Sequence, residues 1–455
     1  MFFSLPRFEA PSVRTFLRFL GVIYLIAFWS YGVQAAGLIG GHGILPFASY
    51  LKAARSAWGV SAYWNVPTLL WICPNDAGLL AVWLTGCVWS LFAIFSTWQR
   101  SSLAVCLVVW LSLCSVGQEF YSFQWDILLS EAGFLAIFAT ATRLRIWLFR
   151  WLLFRLMFFS GAVKLLSHDL AWRGLAALSF HYYTQPLPTP LAWYMQQAPA
   201  WFHEASVAMV FVVELLVPFL FFAPRRIRHV AACIAIALQV LILLTGNYTF
   251  FNWLAIALCL WLFIEPDPNE QPDRRRQLVS VILAGGIGIL SGLLCLQLFS
   301  IPLPPGGEKA LQVAEPLRIV NPYGLFAMMT TTRPEIVVEG SNDGVRWLDY
   351  EFRYKPGDVN RMPPMVAPYQ PRLDWQMWFA ALGSYRNNRW FVDFAVRLLQ
   401  GQPSVLRLLR HNPFPKAPPR YIRAVVYSYI FTHYGERAWW KREESGTYLP
   451  EVSLR

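Results

Sequence analysis

The sequence predicts a multispanning α-helical membrane bundle of about nine spans over residues 1–302, followed by an α+β extramembrane domain with a small β-sheet or sandwich over residues 303–455. Three observations carry this prediction. Of 455 residues, 56% are apolar and only 14% charged, too few charges to cover a soluble protein of this size. Apolar runs of membrane-crossing length recur up to Ile301 and then stop. After Pro302 the pattern changes to short alternating stretches, turn residues and amphipathic helices.

The first run, about 19–36, follows Arg7, Arg14 and Arg18 and is expected to be an uncleaved anchor, although Val33-Gln34-Ala35 also fits a signal-peptide cleavage site. Further spans are expected at about 77–96, 102–118, 127–142, 150–166, 204–223, 229–245, 252–264 and 278–301. The run at 252–264 is short enough to be tilted or re-entrant. With a cytoplasmic N-terminus, thirteen arginines (7, 14, 18, 100, 143, 145, 150, 225, 226, 228, 274, 275 and 276) fall on the cytoplasmic side. Only Lys52, Arg55, Lys164 and Arg173 fall opposite before residue 302. That asymmetry puts the C-terminal domain on the non-cytoplasmic side. It also explains the formal charge of +12 as a topology signal, so no nucleic-acid partner is expected.

Glu119, Asp126, Glu131, Lys164 and Glu214 lie within or beside the spans. A charge at membrane depth costs roughly 3 kcal/mol, so each needs a partner or a wet cavity. Mutual pairing and a substrate or proton site are both open readings. Between residues 167 and 203, Pro186, Pro188 and Pro190 exclude a helix and favour an extended crossing. Trp172, Tyr182, Tyr183, Trp193 and Tyr194 around it suit the membrane interface. Asn247-Tyr-Thr is a glycosylation sequon close to the bilayer.

After the linker Pro302–Gly307, strands are expected at Leu317–Val320 and Leu325–Thr330, then a hairpin of Glu335–Glu339 and Val345–Tyr354 turning at Asp343-Gly344. Pro368 and Pro371 should hold Ala367–Arg372 as an extended strap, with Asp374 capping the helix that follows. Helices at 373–382, 388–400 and 403–410 precede a strand at Tyr421–Thr432 and a solvated charge run from Lys441 to Gly446. Trp375 and Phe379 are expected in the core, with Tyr369, Gln370 and Arg372 exposed. All seven cysteines precede residue 300, so the C-terminal domain cannot contain a disulfide. No zinc spacing, nucleophile elbow or phosphate loop occurs, and His411 and His433 stand singly, so no metal, cofactor or catalytic residue is assigned.

The string Ala367-Pro-Tyr-Gln-Pro-Arg-Leu-Asp-Trp-Gln-Met-Trp-Phe-Ala-Ala-Leu resembles the signature of the lipase maturation factor family. So do Asn321-Pro-Tyr-Gly-Leu-Phe-Ala-Met-Met-Thr, Arg333-Pro-Glu-Ile-Val-Val-Glu-Gly-Ser and Tyr350-Glu-Phe-Arg-Tyr-Lys-Pro-Gly-Asp-Val. The resemblance is close over about the C-terminal third and looser over the membrane part. It implies a non-enzymatic, membrane-anchored factor that assists folding of secreted proteins, lipases above all, in the endoplasmic reticulum or, for a bacterial-type member, at the inner membrane. Its partners would be the lipid bilayer and a client protein, with Pro368, Tyr369, Gln370, Pro371, Arg372, Asp374 and Trp375 as the partner-binding residues. Phe159-Ser-Gly-Ala-Val-Lys-Leu-Leu, with Asp169 and Trp172, resembles a helix end in the vitamin K-dependent carboxylase superfamily. There two adjacent lysines follow the valine and the second acts as a base. Here Lys164 is followed by Leu165, which supports a shared bundle more than shared chemistry. A membrane enzyme acting on a lipid or polypeptide is the alternative; a transporter would need an inverted repeat that the sequence does not display.

Overall fold

The structure, a computed structural model, describes residues 11–267 and 274–454. All nine apolar runs are helical. Seven are long and apolar enough to cross a membrane: α1 (Pro11–Leu38), α2 (Asp76–Phe95), α3 (Gln99–Val116), α5 (Arg143–Leu166), the segment Ala200–Phe222, α7 (Arg225–Thr245) and α9 (Arg274–Leu298). The other two, α4 (Gln124–Ile137) and α8 (Phe251–Cys259), are shorter and almost wholly buried among their neighbours. Enclosed by protein, they need not match the hydrocarbon thickness. Arg7 lies outside the described residues.

α1 is the hub of the bundle. Phe16, Leu20, Tyr24, Phe28 and Tyr31 are fully buried on it. Its contact with α2 is glycine-dependent on both sides: the Trp83 ring lies where a Cβ on Gly32 would stand, and the Phe28 ring where one on Gly86 would. Small residues let the two backbones approach, and Trp83 Nε1 then donates to the Phe28 carbonyl at 2.7 Å. The segment Ala200–Phe222 is not one regular helix. α6 (Ala200–Phe211) passes into a π turn, Val212–Leu216, and a 3₁₀ turn, Val217–Phe222. Pro218 has no N–H for the α-helical bond and would clash with the preceding turn, so the ladder widens there.

Basic residues gather at one end of the bundle. Arg150 donates to the carbonyls of Trp261 (3.2 Å) and Ile264 (2.9 Å), Arg228 donates to that of Leu262 at 2.8 Å and pairs with Glu265, and Arg145 reaches Ser280 at 3.0 Å. These three are buried, Arg150 and Arg228 closing off the chain after α8 and Arg145 reaching α9, and do not simply face lipid headgroups as the charge pattern suggested. Residues after 302 pack at the opposite end, against Ser30, Gln34, Phe120, Asp126, Thr184 and Asn247.

The C-terminal part is built on one antiparallel sheet of four strands, β1 (Pro334–Ser341), β2 (Leu348–Tyr350), β3 (Tyr421–Phe431) and β4 (Trp440–Val452), in the order β2-β1-β3-β4. The expected hairpin forms, with Val338 opposite Tyr350, but its second strand is confined to Leu348–Tyr350 and not the whole of 345–354; Tyr350 and Phe352 turn inward while Asp349 and Glu351 face out. β4 was not evident from sequence. Its Lys441-Arg-Glu-Glu run, expected as a solvated tail, is an edge strand whose charges keep another strand from adding to it. The strands expected at Leu317–Val320 and Leu325–Thr330 do not form, because the backbone there bonds to the bundle. Asn321 N–H donates to Glu131 and Met329 N–H to Asp169, both at 3.1 Å, and the Ala327 carbonyl accepts from Ser167 at 2.6 Å. Helices α10 (Arg372–Ala381) and α11 (Arg389–Leu399) pack beside the sheet, and the third expected helix is the single turn Pro403–Leu406.

Candidate functional site

The strap Ala367–Arg372 does not run straight. A cis bond precedes Pro368, Tyr369 N–H donates to the Val366 carbonyl at 3.1 Å, and the chain turns into the bundle. Arg372 meets Asp126 through two bonds, Nη1 to Oδ2 at 2.9 Å and Nη2 to Oδ1 at 2.8 Å; neither side chain is exposed to solvent. Nη1 also donates to the Phe120 carbonyl at 2.7 Å, and the guanidinium lies 3.7 Å from the Tyr121 ring centre. Ser30 and Gln34, one turn apart on α1, bind the strap's backbone: Gln370 N–H donates to Ser30 Oγ (3.0 Å), Gln34 Nε2 to the Gln370 carbonyl (2.7 Å), and Arg372 N–H to Gln34 Oε1 (2.9 Å).

The expectation that Gln370 and Arg372 are exposed is therefore wrong; Pro371, Asp374 and Trp375 are buried as well, and only Pro368 and Tyr369 keep partial exposure. The physical reason is the unpaired charge of Asp126 in the bundle, which draws the arginine in. Asp374 does not cap its own helix. Its Oδ1 accepts the Tyr354 and Lys355 N–H groups at 2.8 and 2.9 Å, tying α10 to the chain after β2. Burial raises its carboxyl above the ordinary range, with those two N–H groups pulling the other way. Trp375 is core as expected, but Phe379 is 44% exposed, as is Leu382.

Glu131 has the same kind of partner. It pairs with Arg155, a fully buried arginine that the loop-based charge count passed over, and its Oε2 accepts Asn321 N–H (3.1 Å), Asn321 Nδ2 (3.0 Å) and Tyr323 Oη (2.8 Å). Arg333 holds the proline crossing by donating to the carbonyls of Tyr183 (2.7 Å), Gln185 and Pro186 (2.8 Å), with Glu335 at 2.7 Å balancing its charge. The crossing itself is extended, as its prolines require, with Pro188 bridged to Gly246. Asn247, the sequon residue, is buried; its Oδ1 accepts Val366 N–H (2.6 Å) and Ala367 N–H (3.0 Å), and its Nδ2 donates to Pro364 (2.8 Å). Three of the four family-like motifs are thus contacts between the bundle and the C-terminal part, and the fourth, Tyr350–Val359, is tied to Asp374 within the C-terminal part. Of the five intramembrane candidates, Asp126 and Glu131 serve this seam, and Glu119 is exposed with its carbonyl accepting from Gln376 at 2.7 Å.

Lys164 and Glu214 pair with each other at 2.6 Å, and Lys164 also donates to the Ser160 carbonyl at 3.0 Å. They line a cavity of about 100 Å³ between α5, α6 with its π turn, and α7, closed over by Leu325 and Phe326. His181 and Tyr248 line it too. Gln185 Nε2 donates to the carbonyls of Tyr182 (3.2 Å) and Thr245 (2.8 Å), which leaves its Oε1 to accept Tyr248 Oη at 2.8 Å. The Tyr248 proton being committed, His181 Nε2 is the donor in its 3.0 Å contact with Tyr248, and Nδ1 carries a lone pair. Burial, with the charge of Lys164 second, pushes His181 down to about 4, so the imidazole is neutral at pH 7. Nothing in the sequence spacing of these residues announced the cavity. Among the described residues no group of three or more His, Cys, Asp or Glu is placed to hold a metal.

Comparison with known proteins agrees with this architecture. The sequence model of the lipase maturation factor transmembrane domain matches residues 12–267, and that of the lipase maturation factor C-terminal domain matches residues 319–450. Lipase maturation factor 2 of Homo sapiens is 35% identical, covering 97% of this chain and 82% of its own. Its counterpart in Gallus gallus is 36% identical over 96% of this chain and 81% of its own, and lipase maturation factor 1 of Bos taurus is 35% identical over 96% and 88%. No solved structure matches. With both halves matched and the similarity running through bundle and sheet alike, this integral, multi-pass membrane protein belongs to the lipase maturation factor family.

Proposed function

We propose that the chain is a membrane-anchored maturation factor that assists the folding or assembly of exported proteins, lipases among them. The observation that carries this is the extent of the similarity to proteins named lipase maturation factor, which includes the seam joining the two parts. The work falls to the C-terminal part, which stands on the non-cytoplasmic face of a membrane on the export route. The gathering of Arg145, Arg150 and Arg228 at the far end of the bundle supports that orientation. Asp126 and Glu131 are engaged in holding the two parts together, which supports a scaffold over acid-base chemistry at those positions.

A client still exposing apolar surface would be held by apolar side chains that the C-terminal part leaves uncovered: Met328, Met362, Met365, Phe379 and Leu382. Flexible methionines suit a surface that must accept more than one shape. Within the strap, Pro368 and Tyr369 are open to direct contact, whereas Gln370, Pro371, Arg372, Asp374 and Trp375 act by fixing α10 so that Phe379 and Leu382 face outward. The test is co-expression with a secreted lipase in cells lacking their own factor. Phe379→Ser with Leu382→Ser should reduce secreted lipase activity several-fold at unchanged membrane insertion. Parent-level lipase from that variant would refute the adhesive surface, and a reporter fused after Arg455 that is active only in the cytosol would refute the orientation.

A further inference from the structure

The cavity beside the Lys164–Glu214 pair borders the seam at Leu325 and Phe326, but Lys164, Glu214 and His181 make none of the bonds that hold the two parts together. Its wall is mostly apolar, with Leu156, Met157, Leu178, Val210, Ile242 and Phe251 contributing. Three polar groups on that wall leave hydrogen-bonding capacity open among the described residues. Lys164 Nζ uses two of its three protons, on Ser160 and Glu214; Glu214 accepts only through Oε2; and His181 accepts nothing at Nδ1. One donor and two acceptors therefore converge on a space walled by hydrocarbon. The net charge around it is zero, because the lysine and glutamate cancel and His181 is held neutral. A ligand group that both donates and accepts would complete the bonds these groups leave open. The π turn that carries Glu214 is the kind of helix irregularity that recurs at ligand sites.

Position and size narrow the ligand class. Lys164 is in the last turn of α5, at the bundle end that meets the C-terminal part, so the polar end of the cavity lies toward that end, while Leu156 and Met157 line it deeper in the bundle. Val210, Ile242 and Leu178 remain partly exposed at the bundle flank and form the mouth. A space of about 100 Å³ admits a small head and the first few carbons, with the remaining chain lying along the flank. A phosphate would find no net positive charge there, and a plain hydrocarbon would leave the open proton of Lys164 and the two acceptors unmatched.

We propose that this cavity binds an uncharged, hydroxyl-bearing lipid of the acylglycerol class, its hydroxyl donating to Glu214 or His181 and accepting from Lys164. The site would operate whatever the client is. The full chain, purified in detergent, is titrated with radiolabelled 1-oleoylglycerol and challenged with hexadecane and with dioleoylphosphatidylglycerol. Saturable binding of about one molecule per chain is expected, with both competitors at least ten-fold weaker. Leu178→Trp, which fills the cavity, should weaken binding at least ten-fold with an unchanged thermal midpoint; Val210→Trp replaces it if that variant misfolds. Lys164→Met with Glu214→Gln keeps the volume and should abolish the preference for 1-oleoylglycerol over hexadecane. Absence of saturable binding, equal competition by either competitor, or parent-like binding in a folded cavity-filled variant would overturn the proposal.

Discussion

Arg372 and Asp126 are a fork-to-fork pair with no water contact, so neither can lose its partner without leaving a bare charge inside the protein. Arg372→Met should destabilise the fold by about 3–5 kcal/mol, seen as a lowered thermal midpoint in detergent. Adding Asp126→Leu should recover much of that loss, because the double variant buries no lone charge; equal loss in single and double variants would show that the pair itself is not what matters. His181 gives a pH signature of its own. The folded chain holds it neutral, so as pH falls below about 6.5 the unfolded chain takes up its proton first. Stability is then complete above about 6.5 and is lost progressively toward about 4, by up to about 3 kcal/mol for a shift of this size. The midpoint of His181→Gln should depend less steeply on pH across that window than the parent's. Sequence reading named Asp126, Glu131, Lys164 and Glu214 as charges in need of partners. It could not supply Arg372 or Arg155, because partners 246 and 24 positions away are joined only by the fold.

Among the elements, the α1–α2 contact and α9 make a useful contrast. A Cβ on Gly32 would stand 1.9 Å from the Trp83 ring, whereas one on Gly286 of α9 meets nothing within 4 Å. Gly32→Ala should therefore separate α1 from α2 and destabilise by about 1–3 kcal/mol. Gly286→Ala should be neutral or slightly favourable, since alanine is the better helix former by roughly 0.8–1 kcal/mol. Equal midpoints for the two variants would contradict the packing. Helices and the first hairpin could be read from the chain because their signals are local: apolar length, turn chemistry, alternation. β4 and the failed strands after Leu317 could not. A charged segment becomes a strand only when β3 offers an edge, and an apolar one is denied strand form when Glu131, Ser167 and Asp169 take its backbone groups.

At the scale of the molecule, the boundary at residue 302 divides the chain in sequence but not in its core. One continuous cluster of buried side chains includes Tyr24 and Trp110 of the bundle and Trp375, Phe391 and Ile422 beyond the linker. Residues 303–455 made alone would expose Arg372, Trp375 and Tyr323, and should be aggregated or molten, with native near-ultraviolet circular dichroism and solubility restored on co-expression with residues 1–302. A well-folded isolated fragment would show that the seam is an accessory contact. The class of protein, the membrane bundle, the arginine asymmetry and the kinship to lipase maturation factors were all determined by the sequence itself, since each rests on composition, on local periodicity or on a contiguous string. Whether the Trp- and Pro-rich strap faces a client or its own bundle was decided only by the tertiary structure. The strap's arginine, glutamine and indole could serve an outside partner or the chain's own bundle, and what fixes their direction is the buried carboxylate of Asp126, whose desolvation makes a complementary group in the same chain the first to be claimed.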